Sequence, residues 1–310
     1  MKNKYVSSSG AKKIILRIFM YLLICGLAFV FVYPFLYMIV NSLMTNADLN
    51  NSSVKWLPTE LKFENYAIAL KLMNIKRYAI NSAVVTVISC VGHVISCSFI
   101  GYGFARYNFP LKNVLFAIVI LAFIVPTQTL IIPSYLTYSS LKWLNTFYPL
   151  IVPCFFGFGL RGALYIFLFR QFFLTVPKSL EEAARIDGCG FMRTYWKIIF
   201  PLAKATLTVA LVLAVVWHWN DSYEPGIYID NPGMQFLPPR IKQIIEITNA
   251  LPDKQAEMLR TLGQEDGEDT FNDATVMAGA AVISAPVLLF FAFAQRQFMQ
   301  GIERSGITGE

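Results

Sequence analysis

The chain has 310 residues, 56% of them hydrophobic and 15% charged, with a formal net charge of +7. A soluble domain carries about 25% charged residues, so this composition excludes an ordinary water-soluble globule and points to a bilayer. The basic residues are spread along the chain with no Lys-rich tail, which argues against a nucleic-acid-binding arm, and the five Cys show no CxxC spacing, which argues against a disulfide or zinc framework.

The first segment, 1–13, holds Lys2, Lys4, Lys12 and Lys13 ahead of an apolar run over about 14–40. That run is too long for a signal-peptide core and no small-residue cleavage site follows it, so it is expected to be a retained first span, with Pro34 accommodated by neighbouring helices. Further apolar runs lie at about 79–101, 111–132, 147–169, 205–222 and 274–294. Each is near the roughly 20 residues that cross a hydrocarbon core of about 30 Å. The expected architecture is therefore an all-α membrane protein with six transmembrane helices over 14–296 and a tail over 297–310. The fifth run ends in Trp217, Trp219 and Tyr223 mixed with Asn220, Asp221 and Glu224, the composition of an interface belt.

Between the fourth and fifth runs lies a polar loop, 171–204. Pro177 stops any helix arriving from upstream, and Ser179 with Glu182 forms a capping-box pattern, which predicts a helix starting at Leu180. Gly188 is its expected stop, so it has about two turns and must lie against something to be stable. Ala183 and Ala184 allow close approach of a neighbour, while Glu181, Glu182, Arg185 and Asp187 supply charge. A groove on a partner protein and the headgroups of the bilayer both fit such a helix.

Glu182, Ala183, Ala184 and Gly188, followed by Ile198 and Pro201, resemble the EAA motif of ABC importer permeases. Phe200 departs from the usual Leu before the closing Pro. The resemblance implies the type I ABC importer permease fold, with a cytoplasmic coupling helix between spans 4 and 5 that docks on an ATPase subunit. It assigns the coupling to Glu181, Glu182, Ala183, Ala184, Asp187, Gly188, Ile198 and Pro201. The stretches GYGFARYNFPLKN from Gly101, WHWNDSYEPGIY from Trp217 and AQRQFMQGIERSGITG from Ala294 are similar to the carbohydrate, maltose-type branch of these permeases. In the tail, Ile307 and Thr308 depart from that branch. The implied partners are a second homologous permease, two ATP-binding cassette ATPase subunits and an external solute-binding protein.

Charge supplies the orientation. With the N-terminus inside, the inner segments hold fifteen Lys and Arg against ten outside, while acids run five against fourteen. The positive-inside rule then puts both termini and the Ser179 loop in the cytoplasm of a bacterial inner-membrane protein. Two long outer segments, 41–76 and 222–273, fit either contact with an external partner or simple solvation.

No Gly is followed by Lys, so a phosphate-cradling loop is absent and the energy must come from another subunit. No catalytic residue, cofactor or metal is expected. His93 and His218, far apart in sequence and without acid or Cys neighbours at ligand spacing, read as hydrogen-bonding interhelix residues. Arg161 is the sharpest intramembrane feature, the cation set farthest inside a span, at a cost of about 2.5–3.5 kcal/mol on insertion scales. It is either a pathway contact or, with Gly157, Gly159 and Gly162 bending the segment, a side chain reaching the headgroups. Asn81, Gln128 and Asn220 at span ends are further pathway candidates, against the simpler reading of bonds between helices. An ion-driven secondary transporter is the alternative function. It would normally place acids deep within the spans, and the only acid inside these bounds is Asp221 at the end of the fifth run.

Overall fold

The computed structural model describes residues 6–51, 53–54, 56–249 and 272–307. Among them the regular structure is entirely helical. The ten longer helices are α1 (Val6–Ser42), α2 (Glu64–Leu72), α3 (Ile75–Arg106), α4 (Lys112–Ile124), α5 (Ile131–Ser140), α6 (Gly162–Thr175), α7 (Ser179–Ile186), α8 (Lys204–Asn220), α9 (Leu237–Thr248) and α10 (Asp273–Ile307). Contacts divide the chain into one compact unit of Met1–Leu72 with Ile244–Val282, and another of Met73–Gln243 with Ile283–Glu310.

In the first unit, the apolar side chains of α1 from Ile14 to Ile39 are broadly exposed, a surface that hydrocarbon solvates and water does not. The end of α1 is closed by side chains. Buried Asn65 donates from Nδ2 to the carbonyls of Ser42 and Met44 at 3.0 and 2.9 Å, and the Ser42 and Tyr66 hydroxyls lie 2.7 Å apart. The segment after α1 folds around Asp48, whose carboxylate accepts from the Thr59 hydroxyl and amide. That hydroxyl bond holds the Asp48 pKa below its ordinary value.

The second unit is built on α3, which packs against α6, α8 and the segment Val152–Phe156. Gly101 makes the α3–α6 crossing possible. A Cβ there would lie 2.8 Å from the Cβ of Phe169 and 2.9 Å from the backbone nitrogen of Arg170. Around this crossing Cys97, Tyr102, Tyr165, Phe169, Phe173, Tyr195 and Ile199 form a core in which each is about 1% exposed or less. These aromatic contacts, made by close packing of side chains, hold the C-terminal half of α3 to α6 and to the Tyr195–Ile199 turn. The Trp219 indole donates to the Ile283 carbonyl at 2.9 Å, joining α8 to α10.

Two apolar runs are less regular than their hydropathy predicts. The run 111–132 breaks after α4 at Pro126, and the next helical pair leaves at 102°. Proline has no N–H, and it drives Val125 into an extended conformation at ψ 125°. The run 147–169 does not form one helix. A short turn Tyr148–Ile151 and a 3₁₀ turn Val152–Phe156 lead through a left-handed Gly157 at φ +70° and Arg161 at φ +62° into α6, which continues to Thr175. Near the fifth run, the helical stretch Phe191–Leu202 and α8 meet at 78°. A π turn, Tyr195–Ile199, lies just before Pro201, and the Phe200 amide bonds back to Tyr195. Among the described residues, three helices can cross a membrane by length and composition, or five when each bent pair counts as one span, beside the 14-residue α6. α10 continues as helix beyond the expected span end at 294 to Ile307.

Candidate functional site

The polar loop folds as a short helix with a distinct stop. α7 begins at Ser179, one residue earlier than the capping pattern predicts, and the capping box does not form: Lys178 is the N-cap and no side chain caps it. Lys178 already has helical dihedrals, so backbone carbonyls close the first turn, with Lys178 O accepting from the amides of Glu181 and Glu182. At the other end Gly188 is left-handed at φ +77°. The Cys189 amide bonds to Ala184 O at 2.8 Å and the Gly188 amide to Arg185 O at 3.0 Å, a Schellman pair.

The helix has two faces. Glu181 and Ala184, one turn apart, are buried against the protein. Glu182, Ala183, Arg185, Asp187 and Gly188 are exposed, as is Ile186 at 87%, so the two alanines of the motif point to different sides. Glu181 Oε1 lies 2.7 Å from Arg106 Nε on α3, with the two side chains 11% and 4% exposed. That N–H is not aligned with the oxygen, so the contact is Coulombic and not a directed hydrogen bond. Arg106 also donates from Nη2 to the Val176 carbonyl, fixing the chain just before α7. Just after α7, the ring of Phe191 packs on Phe99, Tyr102 and Tyr107 of α3 and its C-terminal edge, with centroids 5.3 to 5.8 Å apart. α7 is thereby tied to α3 on both flanks by charge and by aromatic contact. Ile198, in the π turn, is half-buried against the core, and Pro201 at the bend before α8 is exposed.

A cavity of about 710 Å³ lies elsewhere in the same unit. Arg161 and Gln128 line it together with Thr86, Tyr138, Asp221 and Glu224. Arg161 stacks its guanidinium over Trp217, 4.3 Å from the ring centroid, a contact that offsets part of its burial. The other two pathway candidates are engaged with backbone. Asn81 Nδ2 donates to Gln235 O at 2.9 Å and Gly233 O at 3.3 Å, and Asn220 Nδ2 donates to Val216 O at 2.8 Å. Neither borders the cavity. The acidic pair Asp221 and Glu224 was legible only as an interface belt, because nothing in the local pattern shows the chain folding back onto α5. The two histidines meet as the interhelix reading expects, with Nδ1 of His93 3.0 Å from Nε2 of His218.

Long apolar helices, a cavity lined by apolar side chains with a few charged ones and a short polar helix with an exposed face are features that fit a membrane permease component. The chain belongs to the family of binding-protein-dependent transport system inner membrane components, whose profile matches residues 97–304. It is 29% identical over 276 residues to the probable starch degradation products transport system permease protein AmyC of Thermoanaerobacterium thermosulfurigenes, covering 89% of this chain and 91% of that protein. It is 26% identical over 286 residues to the arabinooligosaccharides transport system permease protein AraQ of Halalkalibacterium halodurans, covering 91% and 93%. Against the sn-glycerol-3-phosphate transport system permease protein UgpE of Yersinia enterocolitica it is 32% identical over 170 residues, 55% of this chain and 59% of that one. Its fold matches a chain in the crystal structure of a bacterial ABC transporter involved in the import of the acidic polysaccharide alginate, with a TM-score of 0.72, 22% identity, and 96% and 100% coverage. The chain is a multi-pass inner-membrane protein of this transporter family.

Proposed function

We propose that the chain is the permease subunit of an ATP-driven importer for a carbohydrate, an oligosaccharide or related polyhydroxylated solute. It would form the pathway with a second permease, receive solute from an external binding protein and be driven by two separate ATPase subunits. The relatives named for starch products and arabinooligosaccharides support the solute class. The observation that carries the mechanism is α7: a rod tied on one face to Arg106 and free on the other. In this reading Glu182, Ala183, Ile186, Asp187 and Gly188 meet the ATPase. Glu181 and Ala184 pass its movement to α3, and Ile198 and Pro201 form the hinge into α8. Both termini lie on the ATPase side. Arg161 and Gln128 belong to the pathway wall, while Asn81 and Asn220 hold helices.

Gly188→Val tests this reading. A Cβ at Gly188 meets nothing within 4 Å, so the substitution acts through backbone strain at φ +77°, about 1–2 kcal/mol. The variant is expected to insert normally and to separate ATP hydrolysis from uptake in proteoliposomes. Wild-type uptake by Gly188→Val would remove the coupling role.

A further inference from the structure

We propose that His93, His218 and Cys154 form a binding site for a zinc-class divalent ion, clipping together α3, α8 and the turn Val152–Phe156. Their ligand atoms all lie within 4.8 Å of one another, and His93 and Cys154 are 0% and 1% exposed. Two imidazoles and a thiolate are the donor set that zinc takes in tetrahedral sites.

The histidine is already oriented for this task. His93 Nε2 is 3.2 Å from the Phe158 carbonyl, which can only accept, so that nitrogen carries the ring hydrogen of the neutral imidazole. The lone pair on Nδ1 is left facing His218 Nε2, 3.0 Å away. A ligating histidine characteristically gives its other N–H to a backbone carbonyl in this way. The turn that supplies the carbonyl closes over the ring because Gly162 has no side chain: a Cβ there would stand 2.3 Å from Gly157 O and 3.5 Å from His93 Nε2.

A second observation is independent of the ligands. The Tyr165 hydroxyl is buried and has no hydrogen-bond partner among the described residues, and its ring centroid is 5.1 Å from that of His93. Water on the fourth position of a tetrahedral ion would provide a partner. His218 also lines the 710 Å³ cavity, which gives an ion access to the site past Asp221 and Glu224.

Little movement is required. Zn–N of 2.0–2.1 Å and Zn–S of about 2.3 Å place tetrahedral donors roughly 3.3 to 3.6 Å apart. The imidazoles open by a few tenths of an ångström and the thiol swings inward. On binding, the Cys154 thiol releases its proton to water. His218 shifts its hydrogen from Nε2 to Nδ1, and His93 keeps its hydrogen on Phe158 O.

The test uses the full chain in detergent with Cys25→Ser and Cys189→Ser, which removes the two thiols that are not buried. Equilibrium dialysis against Zn²⁺ is expected to give about one tightly held ion per chain. Co²⁺ should give the visible bands of a tetrahedral site with a near-ultraviolet sulfur-to-metal charge-transfer band. Adding Cys154→Ser should remove the charge-transfer band, and adding His218→Gln should abolish tight binding, with helicity and gel-filtration profile unchanged. If Cys154→Ser alone fails these folding checks, His218→Gln decides. Absence of saturable binding, or binding unaltered by the substitutions, would overturn the proposal and leave the histidine pair as a hydrogen-bonded strut. The outcome is independent of the coupling role of α7.

Discussion

Arg106 and Glu181 are separated by two apolar runs in sequence, yet both are almost removed from water and each is the other's counter-charge. Breaking a buried pair from one side leaves a charge uncompensated, which costs about 3–5 kcal/mol, whereas replacing both partners by apolar groups is often neutral. Glu181→Ala is therefore expected to lower the denaturation midpoint of the purified transporter strongly. Glu181→Met with Arg106→Met should recover much of that stability while uptake stays impaired, because the charged tie between α7 and α3 is gone. A double-mutant cycle on stability and on ATP-coupled uptake reads the two effects separately; additive stability losses would contradict the pairing. The charges at 181 and 106 were visible in sequence, but their partnership was not. Asn81 and Asn220 show the same limit, since an amide at a span end looks identical whether it meets solvent, solute or the carbonyl four residues back.

At the scale of elements, α7 starts within one residue of the prediction although the capping box that placed its start does not form; the left-handed Gly188 marks its end as expected. Which face is free was not predictable, since eight residues carry too little periodicity to say what lies behind them. The structure adds Ile186, an apolar side chain left 87% exposed at the C-terminal end of the proposed docking face. Its spacing, one turn after Ala183, is the signal that could have found it. Ile186→Asp is expected to leave insertion and α7 intact while weakening ATPase retention on the purified permease at least about tenfold, as loss of a buried interface anchor does. Undiminished retention would move the contact elsewhere. Runs 111–132 and 147–169 looked like simple spans because hydropathy averages over Pro126, Pro153 and the Gly157 turn, whose effect is to bend and not to make the chain polar.

For the whole molecule, the expected orientation rests on charge distribution alone. Cys189, immediately after the left-handed Gly188, is partly accessible, while Cys90, Cys97 and Cys154 are buried. A membrane-impermeant maleimide is expected to modify Cys189 in inside-out vesicles stripped of ATPase and to spare it in intact cells. Labelling from the outside would invert the topology and separate α7 from any cytosolic motor. Sequence by itself determined the membrane class, the all-helical character, the family resemblance and, within a residue, the ends of α7, because these follow from hydropathy, composition and local backbone preference. Only the tertiary structure decided that Glu181 turns inward to Arg106, that Asp221 and Glu224 share a cavity with Arg161, and that His93 meets His218 and Cys154. Those contacts join residues dozens to more than a hundred positions apart, and their geometry is set by how helices cross, as at Gly101, and not by any local rule.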